Sequence, residues 1–284
     1  MSLAKVNELL QHAAKNHYGV AAVNVINVET VRYIIEAAEM ERVPVIVQFY
    51  PGFDSYMNME YIAHAAVDMA GKAAVPVAVH LDHSNGYEIA MNGIKAGFPS
   101  VMVDGSALSF EENIELTASV VKAANVFGVD VEAELGHVGD GAREDDIVNA
   151  DYYTKAEQAV EFVERTGCGS LAIAVGNAHG PYVRTPSLDF DRIKAIRDTV
   201  SVPLVLHGCS DIPKEQIRKA VRLGMSKFNI ATEYFRAMYR AIEKEVLSGK
   251  VKDNGVELLF GLREPMIDFV VHKIRLLNPD KYSL

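Results

Sequence analysis

His83, His179 and His207 each stand at the end of a short run of small or branched apolar residues. Three imidazoles delivered by three separate strand ends match an open zinc site, with three protein ligands and a fourth position left for substrate. Carboxylates accompany them. Asp82 precedes His83, Asp104 closes the next run, and Glu132 and Glu134 sit two apart, which on a strand puts both on one face. Two further runs end in small polar loops, His207-Gly208-Cys209-Ser210 and Asn229-Ile230-Ala231-Thr232. Small residues let backbone N–H groups approach an anion, and Ser and Thr add hydroxyl donors. Asn24 closes the first run with one more hydrogen-bonding group. The chemistry these residues suit is metal-assisted work on a small phosphorylated molecule.

Other residues have plainer readings. His80 points to the same face as Asp82, where it either supports the site or simply packs. His137, in the loop after the fifth run, is an alternate ligand. His12, His17, His64 and His272 lie on helical patterns or near the termini and need no special role. Cys209 has no base beside it and reads as a small filler. The segment from Leu135 to Tyr153, with Gly136, Gly139, Gly141 and Arg143-Glu-Asp-Asp146, has few apolar anchors. It reads as a mobile loop able to bring a carboxylate inward.

The elements that must position these groups follow one rhythm, a short strand and then a longer amphipathic segment. Strands are expected at 19–25, 43–49, 75–82, 100–105, 129–136, 170–176, 202–208 and 227–232; Val/Ile-rich runs suit strands buried on both faces. Between them, 30–42, 110–127, 155–166, 189–198 and 214–223 carry helical spacing. Gly97, Gly167 and Gly224 follow helical segments as αL stops. Eight such units fit a single-domain (β/α)8 TIM barrel spanning 1–284, a fold that typically needs about 250 residues. The open doubly wound sheet is less apt, because the first strand lacks a G-x-G-x-x-G turn. In a barrel, chemistry gathers at the C-terminal strand ends, and phosphate often binds after strands seven and eight. The helical tail after Thr232 exceeds one unit and could serve an oligomer interface.

Composition narrows the partners. The 284 residues carry 28 Lys and Arg against 38 Asp and Glu, a formal charge of −10. That balance excludes nucleic acid as the main partner, since neutralising phosphates needs a basic surface. Two cysteines, Cys168 and Cys209, imply no disulfide framework and a reducing compartment. The start has no signal-peptide pattern and no apolar run approaches a membrane span, so a soluble cytoplasmic protein is expected.

Taken in order, His80-Leu-Asp-His83, Asp104-Gly-Ser, Val131-Glu-Ala-Glu-Leu-Gly136, Asn177-Ala-His-Gly180, Leu206-His-Gly-Cys-Ser210 and Asn229-Ile-Ala-Thr-Glu233 resemble the class II, zinc-dependent ketose-bisphosphate aldolases. The likeness covers nearly the whole chain and is closest to the tagatose-bisphosphate branch. It implies one Zn²⁺ per subunit on His83, His179 and His207, and Asp82 as the acid at the aldehyde-derived oxygen. Dihydroxyacetone phosphate would be held by Gly180, by Gly208, Cys209 and Ser210, and by Asn229, Ile230, Ala231 and Thr232. Asp104 and Glu134 match carboxylates that line a second metal position or support the first. Glu144 aligns, across a longer loop, with a glutamate that moves the proton at the nucleophilic carbon. The resemblance further implies a homodimer or homotetramer, and relatives hold a monovalent cation near the phosphate loops. Three departures bear on the aldehyde: Ala231 where fructose-bisphosphate relatives carry Asp, Phe235 followed by Arg236 where a basic clamp is usual, and Tyr50 where a smaller residue is usual. They point to an aldehyde without a distal phosphate, or to an unusual one. A zinc hydrolase and a non-catalytic sugar-phosphate-binding barrel are the competing readings.

Overall fold

A computed structural model describes residues 2–145, 149–249, 251 and 253–284. Eight strands close into a barrel in chain order: β1 Val20–Val25, β2 Val45–Phe49, β3 Val77–Ser84, β4 Ser100–Val103, β5 Asp130–Leu135, β6 Ser170–Ile173, β7 Leu204–Leu206 and β8 Met225–Ile230. Every neighbouring pair is parallel, including β1 with β8. The expected TIM barrel is therefore the fold. Helices alternate with the strands: α1 Val6–Asn16, α2 Val28–Glu41, α3 Met59–Lys72, α4 Tyr87–Ala96, α5 Phe110–Phe127, α6 Ala156–Thr166, α7 Phe190–Thr199, α8 Lys214–Arg222, α9 Thr232–Leu247 and α10 Gly255–Leu277. No described helix is long and apolar enough to cross a membrane.

Boundaries move where local hydrogen bonding outweighs the apolar pattern. α2 begins at Val28, two residues before the expected start, because Asn27 accepts the Thr30 N–H at 3.0 Å and the Thr30 hydroxyl accepts the Asn27 N–H at 3.2 Å. That reciprocal pair is a capping box. β8 starts and stops two residues early, and Thr232 already belongs to α9.

The outward residues of the strands, such as Val23, Val47, Val79, Val101 and Leu171, pack under the helices in one core. The N-terminal mouth is closed by α1, whose Val6, Leu9, Leu10 and Ala13 meet Ala22, Ile46 and Ala78 of the barrel interior in a second cluster. The tail is partly absorbed by the barrel. α10 packs against α2, and the Gly19 N–H donates to the Leu277 carbonyl at 2.8 Å. Buried Glu41 at the end of α2 takes Arg275 of α10 at 2.8 Å and Lys281 at 3.0 Å.

Candidate metal centre and substrate pocket

Leu81 of β3 pairs with Val101 and Ser84 with Val103, so three steps along β3 oppose two along β4. The extra residue makes a β-bulge, and His83 sits there at φ +35°. Consecutive strand residues normally face opposite sides. Here Asp82 and His83 both line the same cavity.

His83, Glu134, His179 and His207 each present one ligand atom, and these atoms lie within 4.8 Å of one another. The three histidines expected to hold a metal are thus brought together, and Glu134 joins the same cluster. Asp104 stands behind His83: its Oδ2 is 3.0 Å from His83 Nδ1, and its other oxygen accepts from the Ser106 hydroxyl at 2.6 Å and N–H at 3.0 Å. His207 is held from below by Glu132, with Nε2 to Oε1 at 2.9 Å. Its Nδ1 faces Glu134 Oε2 at 3.3 Å, yet both atoms are buried without a hydrogen bond. Two orphaned lone-pair atoms beside two more imidazoles fit a divalent cation, which satisfies all of them at once. His137 lies elsewhere, edge-on to Tyr152, so the alternate ligand does not join the cluster.

The neighbours of each group set its basicity. Burial alone would make His207 less basic, but its contacts with Glu132 and Glu134 outweigh that and push it up to about 10. His179 is pushed down to about 3 by burial and then by its neighbours His83 and His207, so it is neutral and free to donate a lone pair. Burial would raise the Asp104 carboxyl, but its hydrogen bond to His83 holds it well below the usual carboxylate range. His80 is also held down to about 3, by burial and then by Lys227. It bonds Ser100 Oγ through Nδ1 at 2.8 Å and does not line the cavity.

Asp82 is fixed by three amides from three strands. Its Oδ2 accepts from Asn24 Nδ2 at 2.9 Å and Gln48 Nε2 at 3.3 Å, and its Oδ1 accepts from Asn229 Nδ2 at 3.1 Å. Gln48 also donates to Asn24 Oδ1 at 2.7 Å. The sequence reading overlooked Gln48. A buried amide inside the apolar run Val45–Phe49 is the signal that could have marked it.

The cavity beside these groups holds about 430 Å³. Of the expected substrate contacts, Asn24, Gly180, Gly208, Ser210, Asn229, Ala231 and Thr232 line it. Cys209 and Ile230 do not: Cys209 Sγ turns back to the Leu206 carbonyl at 3.0 Å, and Ile230 joins the core under the helices. Tyr50 and Phe53 form an aromatic side, edge to face at 5.3 Å, and Phe235 packs edge-on against Phe53 at 5.6 Å. No Lys or Arg is among the described lining residues. Arg236 is turned to Asp211, with both carboxylate oxygens at 2.9 Å.

Backbone bonds connect the loops at the rim. The His179 N–H donates to the Gly139 carbonyl at 2.7 Å, and Gly141 N–H donates to the His179 carbonyl at 2.6 Å. Asn177 Nδ2 reaches the His207 carbonyl at 3.1 Å. Gly208 has φ +60°, and a Cβ there would lie 2.0 Å from the Ala178 carbonyl oxygen. Glu144 is exposed, paired with Arg184 at 3.0 Å, and does not line the cavity. Asp146, the last of the acidic run, is outside the described residues.

The family model described as Fructose-bisphosphate aldolase class-II matches residues 4–281. The Escherichia coli K12 protein YdjI is 45% identical over 242 residues, 85% of this chain and 87% of that one. A fructose-bisphosphate aldolase of Geobacillus stearothermophilus is 42% identical over 252 residues, 86% of each. The crystal structure of the E. coli K12 YdjI aldolase superposes with a TM-score of 0.87 at 39% identity, covering 99% of this chain and 100% of that one. A match of this extent to aldolases decides against a hydrolase and against a non-catalytic barrel. The chain belongs to the class II fructose-bisphosphate aldolase family and is an aldolase, a lyase that breaks and forms carbon–carbon bonds.

Proposed function

We propose that the protein reversibly cleaves a ketose phosphate into dihydroxyacetone phosphate and an aldehyde that lacks a terminal phosphate, with one Zn²⁺ held by His83, His179 and His207. The observation that carries this reading is the convergence of three imidazoles and Glu134 within 4.8 Å beside an Asp82-lined cavity. Three imidazoles favour zinc over a harder cation. When bound, the ion supplies a Lewis acid for the negative charge left on the ketone fragment. The protein supplies the rest. Asp82, which accepts from Asn24, Gln48 and Asn229, is oriented to take the proton of the hydroxyl that becomes the aldehyde oxygen, and to return it in synthesis. Gly180, Gly208, Ser210, Asn229, Ala231 and Thr232, which line the cavity, hold the phosphate, and a monovalent cation beside these loops belongs to the same reading. Glu144 carries the proton at the nucleophilic carbon once its pair with Arg184 opens and the loop turns inward.

The distal end of the cavity supports the choice of aldehyde. A phosphate there needs cationic partners, whereas Tyr50 and Phe53 offer aromatic faces, with Phe235 behind Phe53, and Arg236 is spent on Asp211. Solvent deuterium exchange into dihydroxyacetone phosphate, before and after zinc chelation, tests the ketone half. Metal-dependent exchange is the expected result, and none from zinc-loaded protein overturns it. Kinetics with glyceraldehyde and its 3-phosphate test the other half, and a strong preference for the phosphorylated aldehyde refutes it. A cytoplasmic homodimer or homotetramer completes the reading. It is supported by the exposed Tyr239 and Leu247 of α9 and Leu259 and Phe260 of α10, and is checked by sedimentation.

A further inference from the structure

One layer below the metal ligands the barrel interior is ionic. Glu132 lies two residues before Glu134, Lys227 two before Asn229, and His80 two before Asp82. Lys227 and His80 are fully buried and Glu132 is 1% exposed. Such layers are ordinarily filled by Val, Ile and Leu. Replacing a buried ion pair by packed apolar groups is often neutral or stabilising, so fold stability does not account for this one. Substrate contact does not either, because none of the three lines the cavity.

The bonds lead to the metal centre instead. Lys227 Nζ spans both Glu132 oxygens at 3.1 and 2.8 Å, and Glu132 Oε1 meets His207 Nε2 at 2.9 Å. His80 Nε2 lies 3.8 Å from the other Glu132 oxygen. We infer that Glu132, anchored by Lys227, is the positioning residue that prepares His207 for the metal. A carboxylate on Nε2 fixes the proton there, which leaves the Nδ1 lone pair facing Glu134, where it would be available to a metal. Lys227 occupies both oxygens, so Glu132 is held against swinging and the His207 ring against rotating. The chain Lys227–Glu132–His207 turns an otherwise costly buried charge into a rigid rest for one ligand.

The inference depends on the metal-centre reading, and the experiment separates the two. Zinc affinity is measured by competition with a chromophoric chelator for the parent, for Glu132→Gln and for the charge-balanced double variant Glu132→Gln/Lys227→Met. Melting in chelator reports the fold. A parent that binds no zinc removes both readings. With a zinc-binding parent, the double variant should melt near the parent, Glu132→Gln should melt lower because it strands the Lys227 charge, and both should lose roughly 10- to 100-fold in zinc affinity. Parent-like affinity in either folded variant overturns the positioning role, since a merely structural residue would lower the melting temperature and leave affinity alone. If neither variant folds, the zinc-loaded parent decides by crystallography. Zinc on His207 Nδ1 with Glu132 still on Nε2 supports the inference, and zinc on Nε2 overturns it.

Discussion

The Tyr182 hydroxyl donates to the Gly208 carbonyl at 2.8 Å. The same oxygen accepts the Ala178 N–H at 2.7 Å, so one phenol ties the loop carrying His179 to the loop that follows His207. Tyr182→Phe leaves a partly buried N–H and carbonyl without that partner. The expected outcome is a loss of about 1–3 kcal/mol in chemical denaturation, with a raised KM for the ketose phosphate in steady-state kinetics. An unchanged KM would show that the two loops keep their places without the phenol.

Gly208 is a sharper case. Its positive φ strains any other residue, and the Ala178 oxygen leaves no room for a methyl group. Gly208→Ala should cost more than about 2 kcal/mol and separate the two loops. Retro-aldol turnover should fall steeply with it, and a combined melt and kinetic assay checks both effects.

Zinc removal should abolish aldol turnover, and zinc should restore it. Binding to the native state alone should also stabilise the protein by about 4 kcal/mol at zinc concentrations 1,000-fold above Kd. A melting temperature indifferent to zinc would contradict a site built from His83, His179 and His207.

Asp82→Asn separates proton transfer from metal binding. Its carboxylate oxygen is 3.9 Å from His83 Nε2, too far for its loss to empty the centre. Turnover should drop roughly 100- to 10,000-fold, the usual range for a lost acid–base group, while zinc affinity stays within a few-fold. Unchanged turnover would remove Asp82 from its role.

Glu41 provides a pH signature for the clasp between α2 and α10. The Arg275 hydrogen bond lowers its carboxyl against the opposing effect of burial, and Lys281 helps. A carboxyl lowered in the folded state contributes stability above its unfolded value near ~4.3, and that contribution fades as pH falls through the lower folded value. Glu41→Gln should therefore be less stable than the parent by about 1 kcal/mol at pH 7, and the gap should close on acidification. A gap independent of pH in denaturant titrations would assign the effect to packing.

The barrel and most of the site were legible because the relevant patterns are local. A β-branched run followed by a polar strand end is visible residue by residue, and it led to Asn24, Asp82, His83, Asp104, His179 and His207. What was hidden depends on contacts between distant segments. Gln48 looks like an interruption in an apolar strand until Asn24 and Asp82 surround it. Lys227 and Glu132, 95 residues apart, form a pair that no spacing rule reveals. The plug made by α1 depends on the barrel being closed, and the resting pair Glu144–Arg184 depends on how two loops meet. The bulge at His83 also had no marker, since Asp82-His83 reads equally well as the polar end of a straight strand.

That bulge has a mechanical meaning. By turning two consecutive side chains into one cavity, it puts the proposed acid Asp82 and the proposed metal ligand His83 on either side of a single peptide unit. Their separation is set by bond lengths and two backbone torsions, ψ of Asp82 and φ of His83, not by the packing of two independent elements. Selection or design that moved His83 would drag Asp82 along, so the reacting end of the cavity behaves as a fixed cassette. The wall of Tyr50 and Phe53 hangs from the segment after β2 and shares no backbone with it. Aldehyde scope can drift on that wall while the carbon–carbon chemistry stays where it is.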